Sequence, residues 1–352
     1  MKTIILTGGG TGGHVIPHLS LLPFIRKDFD KIVYIGTNSI EKEIMSKQKD
    51  VIFETISAVK LKRDSIFKNL SIPFKLISSI SQARKILKKY KPSVIFSKGG
   101  YVSVPVCIAG KLLKIPIVSH ESDLTIGLAN KLIYSCCDTF CTSFEKTAKS
   151  LSKGIYTGSP IRKELLNGNK DNGYNITKVS KTKSTILVMG GSTGALKLNK
   201  ALYETLPKLL KTYNVIHIVG KDKGDSSKVF KNYCQIEFCH NIEDIFAISD
   251  IIISRAGSNA IFEFLALKKA MILIPLPKQA SRGDQIDNAK YFEEKGYSKT
   301  ILQENLNPNL LLETIEDLQK NKQIFLNNMK NNTIHLNGAE NIYHEILNLL
   351  SK

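Results

Sequence analysis

The chain has 352 residues, 42% of them hydrophobic, and a formal net charge of +19 at pH 7. This length exceeds one core of ordinary size and this composition excludes a disordered chain, so two globular domains are expected. The excess of bases predicts an anionic partner, which leaves nucleic acid, an acidic membrane face and a phosphorylated substrate open.

The chain begins with MKTIILTGGG, whose apolar run is cut off by glycines well before the ~7–15 residues of a secretion signal. No later stretch approaches the ~18 consecutive apolar residues of a membrane-spanning helix. The six cysteines contain no CxxC pair and no zinc-finger spacing, which favours reduced thiols. We therefore expect a protein that is kept in the cytoplasm.

Short runs rich in Ile and Val alternate with helix-length segments along the chain. They predict nine strands: KTIILTG, KIVYIGT, SVIFSKGG, IPIVSHE and DTFCTS in the first half, then STILVMGG, YNVIHIVG, DIIISRAG and AMILIPL. Strands this uniformly apolar are typical of parallel sheets covered on both faces. The polar stretch 167–184 predicts the joint between two domains, and residues 339–350 predict a closing helix.

Residues 3–18 (TIILTGGGTGGHVIPH) and 185–195 (TILVMGGSTGA) both lead a predicted strand into a glycine-rich turn. Each half is therefore predicted to be a Rossmann-like domain whose first turn offers backbone amides to a phosphate. Two such domains that face each other leave a ligand cleft at the carboxyl ends of their strands. KIVYIGTNS has no acidic residue at the tip of the second strand, which argues against a nicotinamide enzyme, and no P-loop motif occurs.

His14 directly follows the first glycine turn. A helix N-terminus disfavours the imidazolium form, so a neutral His14 could accept a proton, or it could cap the turn structurally. His120 and Glu121 end the strand IPIVSHE at the same predicted edge of the sheet. They could act as a second acid or base, as orienting groups, or as a satisfied polar pair.

In the second half, Gly257 and Ser258 predict the turn and N-cap of a helix. Glu263 follows among apolar neighbours, and a carboxylate near a helix start suits the two hydroxyls of a ribose. The D-x-D triplet at residues 28–30 lies in a predicted surface turn, away from the strand ends. A bound diphosphate would therefore be neutralised by amides, helix ends and bases such as Arg162, without a metal ion.

Seven motifs, in this order, resemble the MurG family, the cytoplasmic N-acetylglucosaminyltransferases of peptidoglycan synthesis. The motifs are GGTGGHVIPH (9–18), SKGGYVSVP (97–105), HESDLTIGLANK (120–131), TGSPIR (157–162), GGSTGA (190–195), RAGSNAIFE (255–263) and SRGDQIDNA (281–289). The resemblance implies the α/β GT-B fold: two Rossmann-like doubly wound parallel-sheet domains that face each other across a cleft. The expected domains are 1–162, joined by the C-terminal helix 339–352, and 163–338.

The resemblance also implies the reaction, an inverting transfer of GlcNAc without a cofactor or metal. The donor is UDP-GlcNAc, and the acceptor is the 4-hydroxyl of undecaprenyl-diphosphate-MurNAc-pentapeptide (lipid I), which becomes lipid II. By motif, Glu263 would hold the uridine ribose, Gln285 would reach the GlcNAc, and the helix start at Ser258, Asn259 and Ala260 would hold the diphosphate. Other implied donor contacts are Thr11, Gly12, Gly13, Arg162 and Ser192. The acceptor diphosphate would meet two loops, formed by Gly9 and Gly10 and by Gly99, Gly100 and Tyr101.

One position departs from part of the family, in which the His-Glu motif often continues Gln-Asn. Here it continues Ser122-Asp123, and Asp123 falls where Asn contacts the sugar nucleotide. A carboxylate near a diphosphate is unfavourable unless it faces the sugar hydroxyls. The general base also stays open, with His14 expected first and Glu121 second.

The segment from Lys60 to Lys91 contains ten basic residues and one acidic residue. Apolar side chains alternate with bases there, notably Phe67, Lys68, Leu70, Phe74 and Lys75. An apolar patch rimmed by bases suits docking on anionic lipid, although an amphipathic helix packed on the sheet gives the same pattern. We expect a peripheral protein on the cytoplasmic face of the cell membrane, with other cell-wall synthesis or division proteins as further partners.

Two kinds of alternative stay open. Another GT-B enzyme, such as a UDP-sugar diacylglycerol glycosyltransferase or a UDP-GlcNAc epimerase, would share the fold and the uridine site. A nucleic-acid-binding protein would explain the charge. However, the chain has no RNP-type motif, no Cys/His finger and no tryptophan, so no nucleic-acid partner is expected.

Overall fold

The computed structural model describes residues 2–58, 72–190 and 195–351. The chain divides into two compact units. The first comprises Met1–Ile161 and Ile334–Lys352, and the second comprises Arg162–Thr333.

The first unit contains a seven-stranded parallel sheet within these described ranges. Its strands are β1 (Thr3–Thr7), β2 (Lys31–Gly36), β3 (Val51–Thr55), β4 (Val94–Ser97), β5 (Ile117–Glu121), β6 (Thr139–Thr142) and β7 (Gly154–Tyr156). The helices between them are α1 (Ile16–Asp28), α2 (Ile40–Met45), α3 (Ile72–Tyr90), α4 (Ser103–Leu112), α5 (Leu128–Cys136) and α6 (Glu145–Lys149). The strand order is β3-β2-β1-β4-β5-β6-β7, so the chain reverses its direction of winding beside β1. Such a switch point is where open α/β sheets bind ligands.

The register of the central strands aligns their carboxyl ends. Thr7 at the end of β1 pairs with Ser97 at the end of β4, and Ser97 pairs with Ser119 of β5. The residues that follow these strands therefore emerge at one edge of the sheet. This alignment brings together the segments that carry His14, Lys98 and Glu121.

The second unit contains a six-stranded parallel sheet in its described part. Its strands are β8 (Thr185–Met189), β9 (Asn214–Ile218), β10 (Tyr233–Ile236), β11 (Ile251–Ser254), β12 (Ala270–Leu273) and β13 (Ser298–Thr300), in the order β10-β9-β8-β11-β12-β13. The helices are α7 (Lys170–Thr177), α8 (Leu196–Leu209), α9 (Ile242–Ile248), α10 (Ser258–Ala266), α11 (Asp284–Glu294), α12 (Pro308–Lys320) and α13 (Lys322–Lys330).

The last helix, α14 (Gly338–Leu350), belongs to the first unit. Its residues Ala339, Ile342, Tyr343 and Ile346 are buried against α1 and one face of the seven-stranded sheet. The other face of that sheet is covered by α3, α4 and α5. Short 3-10 turns lie at Gly12–His14, Lys163–Asn167 and Ile334–Asn337.

The predicted fold class, two parallel-sheet α/β domains, is confirmed, and all nine predicted strands are present. Four further strands, β3, β7, β10 and β13, were not predicted, and they are the edge strands of the two sheets. Because an edge strand is short or half exposed, it lacks the uniformly apolar run that marks a central strand. The polar stretch 167–184 is not a plain linker either. It contains α7, where Gly173 packs against the backbone of Asp244.

Candidate functional site

Two glycine-bearing loops, one after β1 and one after β4, lie against each other in the first unit. Gly10 and Gly100 both have positive φ angles, of 87° and 82°. A Cβ on Gly10 would overlap the ring of Tyr101, and a Cβ on Gly100 would overlap the carbonyl oxygen of Gly9. Only glycine combines this conformation with this closeness, so the two loops form one backbone-lined surface. Gly99 belongs to the second of these loops, and Thr11, Gly12 and Gly13, the implied donor contacts, directly follow Gly10 in the first.

His14 ends the 3-10 turn that follows the first loop, before α1 begins. Its Nδ1 lies 3.1 Å from the carbonyl oxygen of Lys98. A carbonyl only accepts, so in the neutral ring Nδ1 carries the hydrogen and Nε2 carries the lone pair. This tautomer is the one that can accept a proton at Nε2.

Lys98 directly follows β4 and is 1% exposed. Its Nζ donates a hydrogen bond to Oγ of Ser122, in the loop after β5. Burial lowers the pKa of Lys98 to about 8, and the carboxylates of Glu121 and Asp123 oppose that shift. The side chain is therefore mainly an ammonium at neutral pH. The sequence marked this residue only by its place at a strand tip and within the motif SKGGYVSVP.

Glu121, at the end of β5, is buried and saturated with donors. It accepts hydrogen bonds from the backbone N–H of Asp123 (3.0 Å), the N–H of Gly127 (3.0 Å) and Nδ2 of Asn130 (2.9 Å). Burial raises the pKa of Glu121, and the Asp123 carboxylate acts in the same direction. These three hydrogen bonds order the loop 122–127. Because they occupy the carboxylate, Glu121 is less suited than His14 to take a proton from a substrate.

The neighbouring histidines of the first unit are buried as neutral rings. His120 Nε2 lies 3.2 Å from the carbonyl oxygen of Gly158, and burial lowers the pKa of His120 well below its ordinary value. His18 packs edge-on against Tyr34 and Phe96, and burial lowers its pKa to about 3. Both are structural groups at neutral pH.

Glu41, in the first turn of α2, is a residue that the sequence did not single out. It is fully buried and lies directly beneath the first glycine loop, where a Cβ on Gly9 would come within 2.8 Å of its Oε1. The carboxylate accepts from the N–H of Thr37 at 3.0 Å, from Oγ1 of Thr37, and from the N–H of Gly10 at 3.5 Å. Its signal in the sequence is an acidic residue just after the tip of β2.

In the second unit, the predicted donor residues gather around the start of α10. Ser258 is the first helical residue and Gly257 is the N-cap, one position earlier than predicted. Gly257 is extended there (φ −68°, ψ 129°), so a residue without a side chain leaves the helix end open. The N–H groups of Ser258, Asn259 and Ala260 point out of the helix by its geometry, which makes this end suited to an anion.

Arg162 and Glu263 form a two-pronged ion pair in this unit. Nε and Nη2 of Arg162 lie 3.2 and 3.4 Å from the two carboxylate oxygens of Glu263. The side chains are 33% and 13% exposed. Burial raises the pKa of Glu263, and Arg162 opposes that shift. The acid and the base assigned to one nucleotide are thus in contact with each other.

Gln285, in the first turn of α11, faces the same helix start. Its Oε1 accepts the N–H of Leu276 at 3.1 Å, and its Nε2 lies 4.0 Å from a Cβ placed on Gly257. Arg255, which the sequence did not single out, ties the tip of β11 to the following strand. It donates to the carbonyl of Ile274 at 3.0 Å and to Oε1 of Gln303 at 2.6 Å.

Some predicted positions lie outside the described residues, namely Ser192 in the second glycine turn and Phe67, Lys68 and Leu70. Phe74 and Lys75 lie in the first turn of α3 and are exposed. Within the described ranges, no three His, Cys, Asp or Glu side chains cluster as metal ligands would. No helix there is both long and apolar enough to cross a membrane.

Two family models match the chain: the glycosyltransferase family 28 N-terminal domain over residues 4–142 and the C-terminal domain of the same family over residues 185–346. A protein of Clostridium perfringens is 48% identical over 344 residues, which cover 96% of each chain. Its name is UDP-N-acetylglucosamine–N-acetylmuramyl-(pentapeptide) pyrophosphoryl-undecaprenol N-acetylglucosamine transferase. A Bacillus cereus protein with that name and the numeral 2 is 45% identical over 354 residues, 99% of each chain.

Solved structures agree on the fold. MurG of Acinetobacter baumannii matches with a TM-score of 0.77 at 22% identity, over 99% of this chain and 100% of that one. The UDP-GlcNAc 2-epimerase of Neisseria meningitidis, bound to UDP-GlcNAc, matches with a TM-score of 0.71 at 15% identity, over 100% of both chains. At these identities the structures establish the GT-B architecture, and the family rests on the near-full-length sequence matches.

Proposed function

Because this chain belongs to the MurG family within glycosyltransferase family 28, we propose that it transfers GlcNAc from UDP-GlcNAc to the 4-hydroxyl of lipid I, giving lipid II for peptidoglycan. The observation that carries the proposal is 48% identity to a transferase so named over 96% of both chains. The two family models together cover both glycine loops of the first unit and the whole of α10.

The second unit supplies the donor site in this proposal. The start of α10 takes the diphosphate, since its outward N–H groups and helix dipole favour an anion. Glu263 accepts hydrogen bonds from the ribose hydroxyls, and Arg162 then turns from Glu263 to the diphosphate. Gln285 offers its amide N–H to GlcNAc while Leu276 holds its oxygen. The leaving diphosphate is stabilised by these groups, so we propose transfer without a metal ion or other cofactor.

The first unit supplies the acceptor site and the base. The Gly9–Gly10 and Gly99–Tyr101 loops offer backbone N–H groups to the lipid diphosphate. His14 Nε2 removes the proton of the 4-hydroxyl as its oxygen attacks C1 of GlcNAc. The C1–oxygen bond to UDP breaks with its electron pair going to the diphosphate, and the configuration at C1 inverts. General-base catalysis of this kind contributes about 10²- to 10⁴-fold.

The two related alternatives are less well supported. The epimerase shares the fold, but its sequence identity of 15% is too low to indicate a shared function. The relatives at 45–48% identity over nearly the whole chain are transferases by name, and their names specify an undecaprenol acceptor rather than a diacylglycerol.

We place the protein as a peripheral one at the cytoplasmic face of the membrane, docked through α3. Phe74 and Ile77 at the start of α3 are 77% and 65% exposed. Helical spacing puts them on one stripe with Ser81, Lys85 and Lys88, which are exposed as well. An apolar end followed by bases fits anionic lipid, where each base contributes about 1 kcal/mol. We propose other cell-wall synthesis or division proteins as further partners at the membrane.

Transfer to a lipid I analogue by the purified protein, in EDTA, tests the function. We expect UDP release that requires the analogue and survives the chelator. His14→Ala should lower kcat by about 10²- to 10⁴-fold with an unchanged Kd for UDP-GlcNAc. His344→Ala, an exposed histidine on α14, is the matched control. Release of UDP without the analogue would contradict the assignment of the acceptor. A His14→Ala enzyme with wild-type kcat would contradict the assignment of the base.

Vesicle sedimentation tests the docking proposal. Phe74→Ser and Ile77→Ser should together weaken binding to phosphatidylglycerol vesicles about tenfold or more, because each removes an apolar group that would enter the lipid. The control is Ile324→Ser, since Ile324 is 59% exposed on α13 of the second unit. Equal binding of the α3 variant and the control would remove α3 as the docking element.

A further inference from the structure

We propose that Lys98 is a positioning residue of the acceptor site, which holds the loop 122–127 in place and compensates the charge of Asp123. This inference rests on the proposed function and adds a residue to it. Lys98 carries a long cationic side chain, yet 1% of its surface is exposed, and it stands at the tip of β4 between the two other strand ends of the site.

Lys98 contacts both sides of the site through different atoms. Its carbonyl oxygen receives Nδ1–H of His14 at 3.1 Å and so fixes the tautomer and the orientation of the base. Its ammonium donates to Ser122, the residue before Asp123. A displacement of either end of Lys98 would therefore move the base relative to the loop after β5.

The charges around the ammonium explain why a lysine is buried there. The carboxylates of Glu121 and Asp123 both favour its charged form. The histidines that face it, His18 from α1 and His120 from β5, are neutral, and its carbonyl faces His14. Glu121 accepts three N–H donors, and its neighbour Asp123 brings a second negative charge to the same loop. A buried cation offsets that charge.

The first test is a double-mutant cycle in the transfer assay. Lys98→Met keeps the length and removes the charge, and we expect kcat/KM for the lipid I analogue to fall about 10- to 100-fold, as for the loss of a charged hydrogen bond. Kd for UDP-GlcNAc should change less than kcat/KM. The double variant Lys98→Met/Asp123→Asn should return to within about fivefold of Asp123→Asn alone, because the negative charge that Lys98 offsets is gone.

The pH profile separates positioning from a merely structural role. The ammonium is present below its pKa of about 8, so kcat/KM of the wild type should decline as the pH rises through that value. This decline should be missing in Lys98→Met. Lys269→Met is the matched control, because burial also lowers the pKa of Lys269 to about 8 and it lies in the second unit, at the far end of α10. The control should keep the wild-type profile.

Hydrogen exchange supplies a readout that needs no turnover. Amides of the 122–127 loop should exchange faster in Lys98→Met than in the wild type, while those of α11 stay unchanged. Unchanged exchange, or a Lys98→Met enzyme with wild-type kcat/KM and pH profile, would overturn the inference. So would a loss that Asp123→Asn does not relieve. If the wild type itself shows no transfer, the proposed function fails, and the exchange experiment still decides the role of Lys98.

Discussion

Each unit holds a glutamate near the carboxyl ends of its strands, and the two differ in what surrounds them. Glu121 of the first unit is 4% exposed and accepts three hydrogen bonds from N–H groups of its own loop and α5. The side chain of Glu263 in the second unit is 13% exposed, and its partner is Arg162, which is one-third exposed.

The contrast distinguishes framework from ligand site. A carboxylate whose oxygens already accept N–H donors of its own loop and the next helix cannot exchange them for a ligand without unfolding that loop. A carboxylate that is paired with one partly exposed cation can exchange it, because the cation and the incoming hydroxyls compete for the same oxygens. Burial raises the pKa of both groups, so the pKa shift alone does not tell the two roles apart.

Removing the framework carboxylate should have the largest effect, and on stability. Glu121→Ala leaves three donors without their acceptor, which should cost about 3 kcal/mol. For a unit of this size, that corresponds to a fall of about 6–12 °C in the midpoint of its thermal transition. Calorimetry against Glu294→Ala, an exposed glutamate of α11, measures it. A shift within 2 °C of that control would show that Glu121 does not order the loop.

The second prediction concerns affinity instead of stability. Glu263→Gln should weaken UDP-GlcNAc binding about 10- to 100-fold, since hydrogen bonds to a charged acceptor contribute about 1.5–3 kcal/mol. The thermal midpoint should stay near the wild type, because Gln keeps the shape of the side chain and Arg162, which is one-third exposed, can turn its charge to water. Isothermal titration of both proteins, with Glu294→Gln as the control, tests this. A large loss of stability with unchanged affinity for UDP-GlcNAc would show that Glu263 is a framework residue and not a ligand contact.

A smaller effect is expected at Glu41. This carboxylate is buried and accepts N–H donors of its own unit, so it belongs with the framework as Glu121 does. Glu41→Ala should cost about 1–2 kcal/mol, because it frees the N–H of Thr37 and loosens the glycine loop above it. It should also raise KM for the lipid I analogue and leave the Kd of UDP-GlcNAc unchanged. Glu43→Ala, exposed on the same helix, is the matched control. Equal thermal midpoints and KM values for the two variants would rule out the supporting role.

The smallest effect is a dependence on pH. In the proposed donor site, the carboxylate of Glu263 accepts the ribose hydroxyls better than its protonated form does, and burial raises its pKa, so UDP-GlcNAc affinity should fall a few-fold as the pH is lowered toward 5. Folding stability should change in the opposite sense, falling as the pH rises through the raised pKa. UDP-GlcNAc is the better probe because the terminal phosphate of UDP titrates near pH 6. If the UDP-GlcNAc affinity of the Glu263→Gln protein fell with pH in the same way, another group would be responsible for the effect.

Sequence reasoning succeeded where a local pattern carries the information. The nine central and near-central strands were predicted because uniformly apolar runs occur where both faces are covered, and the glycine loops because close backbone approach excludes a side chain. The edge strands β3, β7, β10 and β13 were missed, since pairing on one side leaves little hydrophobic signal. The N-cap of α10 was misplaced by one residue, because glycine and serine are both common there.

The amino-acid sequence by itself determined the fold class, the family, and the residues around the helix start and the glycine loops. Those features are encoded in short runs of residues and in their order. Only the tertiary structure decided which charged groups face each other. Lys98 and Ser122 are 24 positions apart, and Arg162 and Glu263 are 101 apart. Parallel strands bring such residues to one edge of a sheet only when the register is set, and burial then decides which group is framework and which can meet a ligand.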